Sequence, residues 1–312
     1  MIAAIIDCGT NTFNLLVAEI QVNEDYRIIL NTKKSVKLGE GGMADNRIAK
    51  KPFERGIKTF IDLIKIAKKY KVESIHAFAT SAVRSSLNGP EFAKKIQEKT
   101  GIIIQVLNGD TEAQYIYKGV RLALNDLPNP NPILIMDIGG GSTEFIIASE
   151  NQVLWKRSFD LGAARLMQQF KPSDPITPEQ EKKFKEHFKD VLKPLNLQLK
   201  KYSIETLIGC SGSFESLADM IKAEKNNNIP PENTYGFDNN DLKNLHKKLI
   251  LSSEAERKIM PGLVEYRVDT IVFASIFIRY IMKRYKIKNL TYSGFALKEG
   301  VLADLISGKI AL

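Results

Sequence analysis

Cysteine, histidine and tryptophan are scarce: two, three and one in 312 residues. Two cysteines, Cys8 and Cys210, do not make a disulfide framework of the secreted type. Each sits in an apolar, strand-like run, where a reduced thiol behaves as a small hydrophobe. His76, His187 and His246 are scattered without metal-ligand spacing and receive no role, and Trp155 reads as packing. No apolar run is long enough to span a bilayer; the longest, residues 270–282, is broken by Ser275 and Arg279. Residues 1–7 already read as a strand rather than as a charged-then-apolar leader. The expectation is a cytoplasmic protein with neither a membrane nor a nucleic acid as partner.

Acidic residues are also short, 36 Asp+Glu against 45 Lys+Arg, for a net charge of +9. A basic field raises the local concentration of anionic substrates. The excess is spread along the chain, so a merely lysine-rich surface explains it equally well. The hydrophobic share of 44% is enough for ordinary buried cores. The length suits two domains of about 150 residues each.

Periodicity places strands at 2–6, 13–22, 26–30 and 36–38, then a helix over 51–69 with apolar residues at 53, 57, 60, 61, 64 and 67. A strand at 74–80, a helix at 90–99, a strand at 102–107 and a helix from Asp110, its candidate N-cap, to 124 follow. Residues 126–132, rich in Asn and Pro, form the clearest boundary. Beyond it come strands at 133–137, 143–148 and 153–158, helices near 178–200, 212–223, 241–250 and 267–285, and strands near 205–209 and 289–293. Residues 224–240 read as a surface loop. The first domain is expected to take residues 1–124 with about 295–312, and the second 125–294.

The pattern restarts after the boundary. Residues 6–18 align with 136–148 at a constant offset of 130, without gaps, and Asp, Gly, a hydroxyl residue and an apolar tail recur. This reads as one β-hairpin unit used twice, each copy opening a domain. Each copy has an acid at the end of a buried strand, then a turn with glycine and hydroxyl residues. Such a turn lets backbone N–H groups converge on an anion. In the first, Gly9, Thr10, Asn11 and Thr12 are the candidates; in the second, Gly139, Gly140, Gly141, Ser142 and Thr143. Two such loops facing each other across a cleft would hold a phosphate chain. Asp7 and Asp137 would repel bare phosphate and make sense beside a hard cation such as Mg²⁺, which takes one or two carboxylates together with phosphate and water.

These two runs resemble the phosphate loops of the exopolyphosphatase and guanosine pentaphosphate phosphatase family. Further resemblances fall in family order: residues 79–84 (Ala-Thr-Ser-Ala-Val-Arg), 108–113 (Asn-Gly-Asp-Thr-Glu-Ala), 161–166 (Leu-Gly-Ala-Ala-Arg-Leu), 209–213 (Gly-Cys-Ser-Gly-Ser) and 293–300. The resemblance covers nearly the whole chain. It implies an α/β fold of the two-domain, actin-like class (sugar kinase, Hsp70 and actin; a duplicated ribonuclease H-like unit) with an interdomain cleft. It implies Glu112 as the catalytic base, Arg84 as a phosphate contact, and Asp137 and Glu144 as ligands of Mg²⁺ or another hard divalent cation. It implies a homodimer, for which the apolar 270–282 helix offers a face.

The implied reaction is hydrolytic release of terminal orthophosphate from inorganic polyphosphate, with guanosine pentaphosphate as the alternative substrate. A kinase or filament-forming ATPase of the same superfamily is a weaker reading. Longer family members carry a further helical portion with an HD-type domain, so the resemblance implies shorter polyphosphate chains or lower processivity here. Arg267 and Asp269 resemble an Arg-x-Asp pair of the family and read first as a structural ion pair. Departures from the family pattern are Thr10 and Thr12 in place of Ser, Thr111 in place of Glu, and Ala296 in place of Gly, the last putting that turn's backbone in question.

Overall fold

The computed structural model describes residues 1–21, 25–124, 131–225 and 233–310. The chain divides into two compact units, Met1–Leu122 with Phe295–Leu312, and Ala123–Gly294. In the first come β1 (Ile2–Cys8), β2 (Thr12–Ile20), β3 (Tyr26–Ser35), α1 (Lys50–Lys68), β4 (Ser74–Ala79), α2 (Ser81–Arg84), α3 (Gly89–Thr100), β5 (Ile104–Val106) and α4 (Gly109–Ala123). The second holds β6 (Ile133–Ile138), β7 (Thr143–Ala148), β8 (Val153–Phe159), α5 (Ala163–Phe170), α6 (Pro178–Val191), α7 (Lys193–Leu199), β9 (Thr206–Cys210) and α8 (Ser211–Glu224). It continues through β10 (Thr234–Phe237), α9 (Asn239–Leu251), α10 (Glu254–Lys258), α11 (Ile271–Tyr285) and β11 (Asn289–Ser293) before α12 (Leu297–Ile306) returns to the first.

The two sheets share one plan. The first has the order β3-β2-β1-β4-β5 and the second β10-β11-β9-β6-β7-β8. In each, a three-stranded antiparallel meander opens the unit. The meander's first strand then accepts a parallel partner on its free side, β4 beside β1 and β9 beside β6. This is the ribonuclease H-like arrangement used twice, the actin-like fold that the resemblance implies. It explains why β1 and β6 read as unbroken apolar runs: each is hydrogen-bonded on both edges and covered on both faces. The offset of 130 reappears as register, since Asp7 lies opposite Asn14 and Asp137 opposite Glu144.

Each unit has its own core. In the first, Phe13, Phe60 and Phe92 are fully buried among the aliphatic residues of β1 and α1. In the second, Phe184, Phe188, Phe273 and Phe277 interlock, with the Phe188 and Phe277 rings stacked at 4.3 Å. Fully burying one such side chain contributes about 1.5–3 kcal/mol, so α6 and α11 are tied together chiefly by aromatic packing.

Several boundaries differ from expectation. Residues 36–38 are not a strand, because the chain turns there to meet the first hairpin loop. The 178–200 helix is two helices, broken at Leu192 just before Pro194, whose ring cannot continue the helical ladder. Asp110 does not cap α4; the Asn108 Oδ1 accepts from the Thr111 N–H at 2.8 Å and takes that part. The 224–240 loop contains β10, whose edge pairing with β11 supplies the order that its sequence lacks. The expected helix from 267 starts at Ile271, after a 3-10 turn at Glu265–Arg267. That helix offers no apolar dimer face, since residues 271–278, 281 and 282 all lie buried in the second core. Most of the boundary at 126–132 lies outside the described residues. No helix among the described residues is long and apolar enough to cross a membrane.

Candidate active site

The first hairpin loop closes by a hydrogen bond from the Gly9 N–H to the Thr12 carbonyl at 3.0 Å, and the second by one from Gly139 to Ser142 at 3.0 Å. A Cβ on either glycine would sit 3.0 Å from that acceptor. The loops are therefore the same turn built twice.

In the second loop the carbonyls are all engaged on one side. Gly139 O accepts from the Ala163 N–H, Gly140 O from the Arg165 N–H, and Gly141 O from Arg165 Nε at 2.8 Å. A trans peptide points its N–H opposite to its C=O. The N–H groups of Gly140, Gly141 and Ser142 therefore turn away from α5, which makes the concave, anion-accepting arrangement of backbone donors. Gly162 permits the clamp, because a Cβ there would lie 2.3 Å from the Gly141 carbonyl carbon. The first loop is braced from its own side: Asn11 O accepts from the N–H groups of Val36 and Lys37, and Thr10 O from Gly39. Lys37 adopts a left-handed φ of 46° in this brace.

The hydroxyls divide into two kinds. The Thr143 side chain is fully buried and donates to Leu161 O at 2.8 Å. It is part of the turn's framework and not the phosphate donor expected from the sequence. The Ser142 hydroxyl donates to Glu144 Oε1 at 2.7 Å, and Ser158, which no motif contains, donates to the same oxygen at 2.6 Å. Ser211 donates to Asp137 Oδ2 at 2.7 Å, from a residue with a left-handed φ of 68°. Backbone strain of this kind costs of order 1–3 kcal/mol and persists where the surroundings enforce it.

Asp137 and Glu144 are 6% and 1% exposed. They lie directly opposite each other on antiparallel strands, a position where like charges are destabilising. In the first hairpin the equivalent position is Asn14, whose Nδ2 donates to Asp7 Oδ2 at 2.9 Å. The second copy has thus replaced a neutral partner by a second carboxylate. Arg267, also buried, lies near one member of the pair: its electrostatic neighbours include Asp137, and its guanidinium lies so close to Gly212 that a Cβ there would meet Nη2 at 2.1 Å. Burial lowers its pKa, and Tyr266, Glu215 and Asp137 act the other way. The ion pair with Asp269 expected from the sequence misses this placement.

Among the described residues no group of three or more His, Cys, Asp and Glu is arranged to hold a metal ion. Two buried carboxylates with serine hydroxyls on them are nevertheless the oxygen-only donor set that suits Mg²⁺ completed by substrate and water. The residues present fit a hard divalent cation.

In the first unit the structure joins two residues that the sequence treats separately. Arg84 ends α2, directly after β4, and Glu112 stands in the first turn of α4. Arg84 Nη1 donates to Glu112 Oε2 at 2.5 Å and to Leu107 O at 2.9 Å. Glu112 is 6% exposed, whereas the Arg84 side chain keeps about a fifth of its surface. The pair forms with the deprotonated carboxylate, the form that a general base requires. Arg84 has donors beyond Nη1 for an anion. The Ser81 hydroxyl in the same short helix is buried without a hydrogen-bond partner among the described residues. At Ala296 φ is −148° and ψ −131°, which avoids the left-handed region but lies outside ordinary extended backbone, so the turn is an unusual one at the position where the family has glycine.

Comparison with known proteins shows the family and fold to which the chain is similar. The model of the Ppx/GppA phosphatase family matches residues 16–308. A crystal structure of an exopolyphosphatase from Cytophaga hutchinsonii is 35% identical, with a TM-score of 0.94, covering 99% of this chain and 98% of that one. An Aquifex aeolicus Ppx/GppA family member is 25% identical, with a TM-score of 0.77, covering 100% and 99%. The bifunctional 3-dehydroquinate synthase/phosphatase of Fusobacterium nucleatum is 32% identical over 89% of this chain and 43% of its own length.

Proposed function

The chain belongs to the Ppx/GppA phosphatase family, and on that footing we propose that it hydrolyses the terminal phosphoanhydride bond of inorganic polyphosphate. The observation that carries this reading is the buried Asp137–Glu144 pair, opposed across the ladder and set beside a turn of outward backbone N–H groups. Such a combination suits a dense polyanion together with a cation and suits little else.

Glu112, held by Arg84, accepts a proton from the attacking water. The new bond joins the water oxygen to the terminal phosphorus, and the bond to the bridging oxygen breaks. The shortened chain leaves with the bridging oxygen, and orthophosphate is the second product. The N–H groups of Gly140, Gly141 and Ser142 bind phosphate oxygens, and those of Asn11 and Thr12 are the counterparts in the first loop. Positioning and charge stabilisation supply most of the rate in phosphoryl transfer. Asp137 and Glu144 would hold Mg²⁺, which when bound neutralises charge on the phosphate oxygens.

The relative from Cytophaga hutchinsonii is named an exopolyphosphatase, and the excess of basic residues favours a polyanion over a small neutral substrate. The test is orthophosphate release from purified protein on short polyphosphate, long polyphosphate, guanosine pentaphosphate and ATP, with Mg²⁺ and with EDTA. Release from polyphosphate that stops with EDTA supports the reading. Release from guanosine pentaphosphate alone changes the substrate and keeps the chemistry. Turnover of ATP alone overturns it in favour of a kinase or ATPase.

A further inference from the structure

The second unit carries a cavity of about 210 Å³ far from its loop. It lies between the end of α7, the segment that leads into β9, and the end of α11. The loop residues Asp137 and Ser211 stand at the opposite, carboxyl ends of the parallel strands β6 and β9. At about 3.3 Å per residue, Ile204 and Ser211 are separated by roughly 20 Å along the sheet. The cavity is therefore distinct from the candidate active site.

Its lining has a clear chemical character. Lys200 and Arg284 supply two cations, and among the described residues no carboxylate lines the cavity. Asn196 Oδ1 already accepts from the Tyr285 hydroxyl at 2.5 Å, so the amide has its Nδ2 donor left to offer. Burial raises the Tyr285 pKa and keeps that hydroxyl a donor at neutral pH. Arg284 spends one interaction on the Tyr280 hydroxyl, which leaves most of its five N–H groups. The polar part of the wall thus mostly donates and carries positive charge. The rest is apolar, formed by Leu199, Ile204 and the rings of Tyr202 and Tyr285. An anion alone would use only half of this surface. A phosphate joined to a flat ring would use both, through charge-assisted hydrogen bonds to Arg284 and Lys200 and through stacking on tyrosine.

We propose that this cavity binds a nucleoside phosphate, without a divalent cation, at a site separate from the one that performs hydrolysis. Lys200 and Arg284 supply the positive charge that a divalent cation would otherwise bring, and the described wall has no carboxylate to hold one.

The experiment is calorimetric titration of the full chain with GDP and ADP in EDTA, with tripolyphosphate as the anion that lacks a ring. At least one nucleotide should bind saturably below about 1 mM. Arg284→Gln and Lys200→Gln together should weaken binding by about tenfold or more. Both side chains are exposed, so the variant should keep its circular dichroism and its phosphate release. Tyr202→Ala should weaken nucleotide and leave tripolyphosphate unchanged. Absence of saturable binding overturns the proposal. So does nucleotide binding that the double variant leaves intact, or tripolyphosphate binding as tight as that of either nucleotide. None of these outcomes touches the hydrolytic reading, which is measured by phosphate release.

Discussion

Replacing Glu144 by Gln should stabilise the protein in the absence of divalent cations while abolishing its activity. Glu144 and Asp137 are opposite partners in an antiparallel ladder, a geometry that sets Cβ atoms about 4.5–5.5 Å apart. Two unit charges about 5 Å apart, at an effective dielectric constant near 20, repel by about 3 kcal/mol. Arg267 beside Asp137 offsets part of this, leaving about 1–2 kcal/mol. The Gln side chain keeps Oε1 as acceptor for Ser142 and Ser158, which now donate to Glu144 at 2.7 and 2.6 Å. Its amide can also donate towards Asp137, as Asn14 does to Asp7 in the first hairpin. The variant should therefore be more stable in EDTA by about 1–2 kcal/mol. With Mg²⁺ at ten times its dissociation constant the wild type should gain about 1.4 kcal/mol, and the variant little. Urea denaturation of both proteins, with EDTA and with Mg²⁺, reads all four values, and phosphate release should fall at least about 100-fold in the variant. A variant less stable than wild type in EDTA, or a wild type that Mg²⁺ leaves unchanged, would refute the charge-pair argument.

Glu112→Gln should keep the hydrogen bond to Arg84 and polyphosphate binding but lose about 10²- to 10⁴-fold in turnover; a loss of less than tenfold removes Glu112 as the base. Gly212→Ala sets a methyl group 2.1 Å from Arg267 Nη2, so it should cost about 1–3 kcal/mol in urea denaturation and lower phosphate release, and an unchanged midpoint would contradict the packing. His246, hydrogen-bonded to Ser275, has its pKa lowered by burial from 6.5 to about 4. The folded state therefore resists the proton that the unfolded chain accepts, so stability is fully present above about pH 6.5 and is lost as pH falls towards 4. After discounting for its partial exposure this amounts to about 2 kcal/mol. His246→Gln should flatten the profile between those limits, and an equal slope in the variant would assign the loss to other groups.

The architecture was legible because each sheet is built around a strand that must be buried on both faces, and burial of that kind writes an unbroken apolar run. The runs at β1 and β6, and their shared offset, were enough to imply a duplicated unit. Elements whose order comes from neighbours were not legible. β10 is held by its pairing with β11, and its own residues, between an Asn-rich stretch and a helix, carry no strand pattern. α2, a single turn, is too short to show a period. The apolar helix 270–282 shows the opposite error. Its composition suited an interface, but an apolar surface on nearly every side is also what a helix enclosed by α6, α8 and α9 requires.

The site divides along the same line. Residues inside a local motif could be proposed from the sequence, since a Gly-rich turn after a buried strand limits what its backbone can do. What the sequence could not show is which side-chain donors the fold has already spent. Thr143 and Ser142 are adjacent hydroxyls in one motif, yet one bonds a carbonyl behind the turn and the other a carboxylate beside it. Ser158 reaches Glu144 from 14 residues away and lies in no motif, whereas Ser211 lies in the glycine-rich 209–213 run, which does not reveal that it bonds Asp137 from 74 residues away. For Ser158 one clue exists in the sequence. The second hairpin has a carboxylate where the first has Asn14, and an added buried charge demands partners from somewhere. Looking for hydroxyls that could answer Glu144, rather than for further motifs, would have pointed towards the end of β8, where the structure places Ser158.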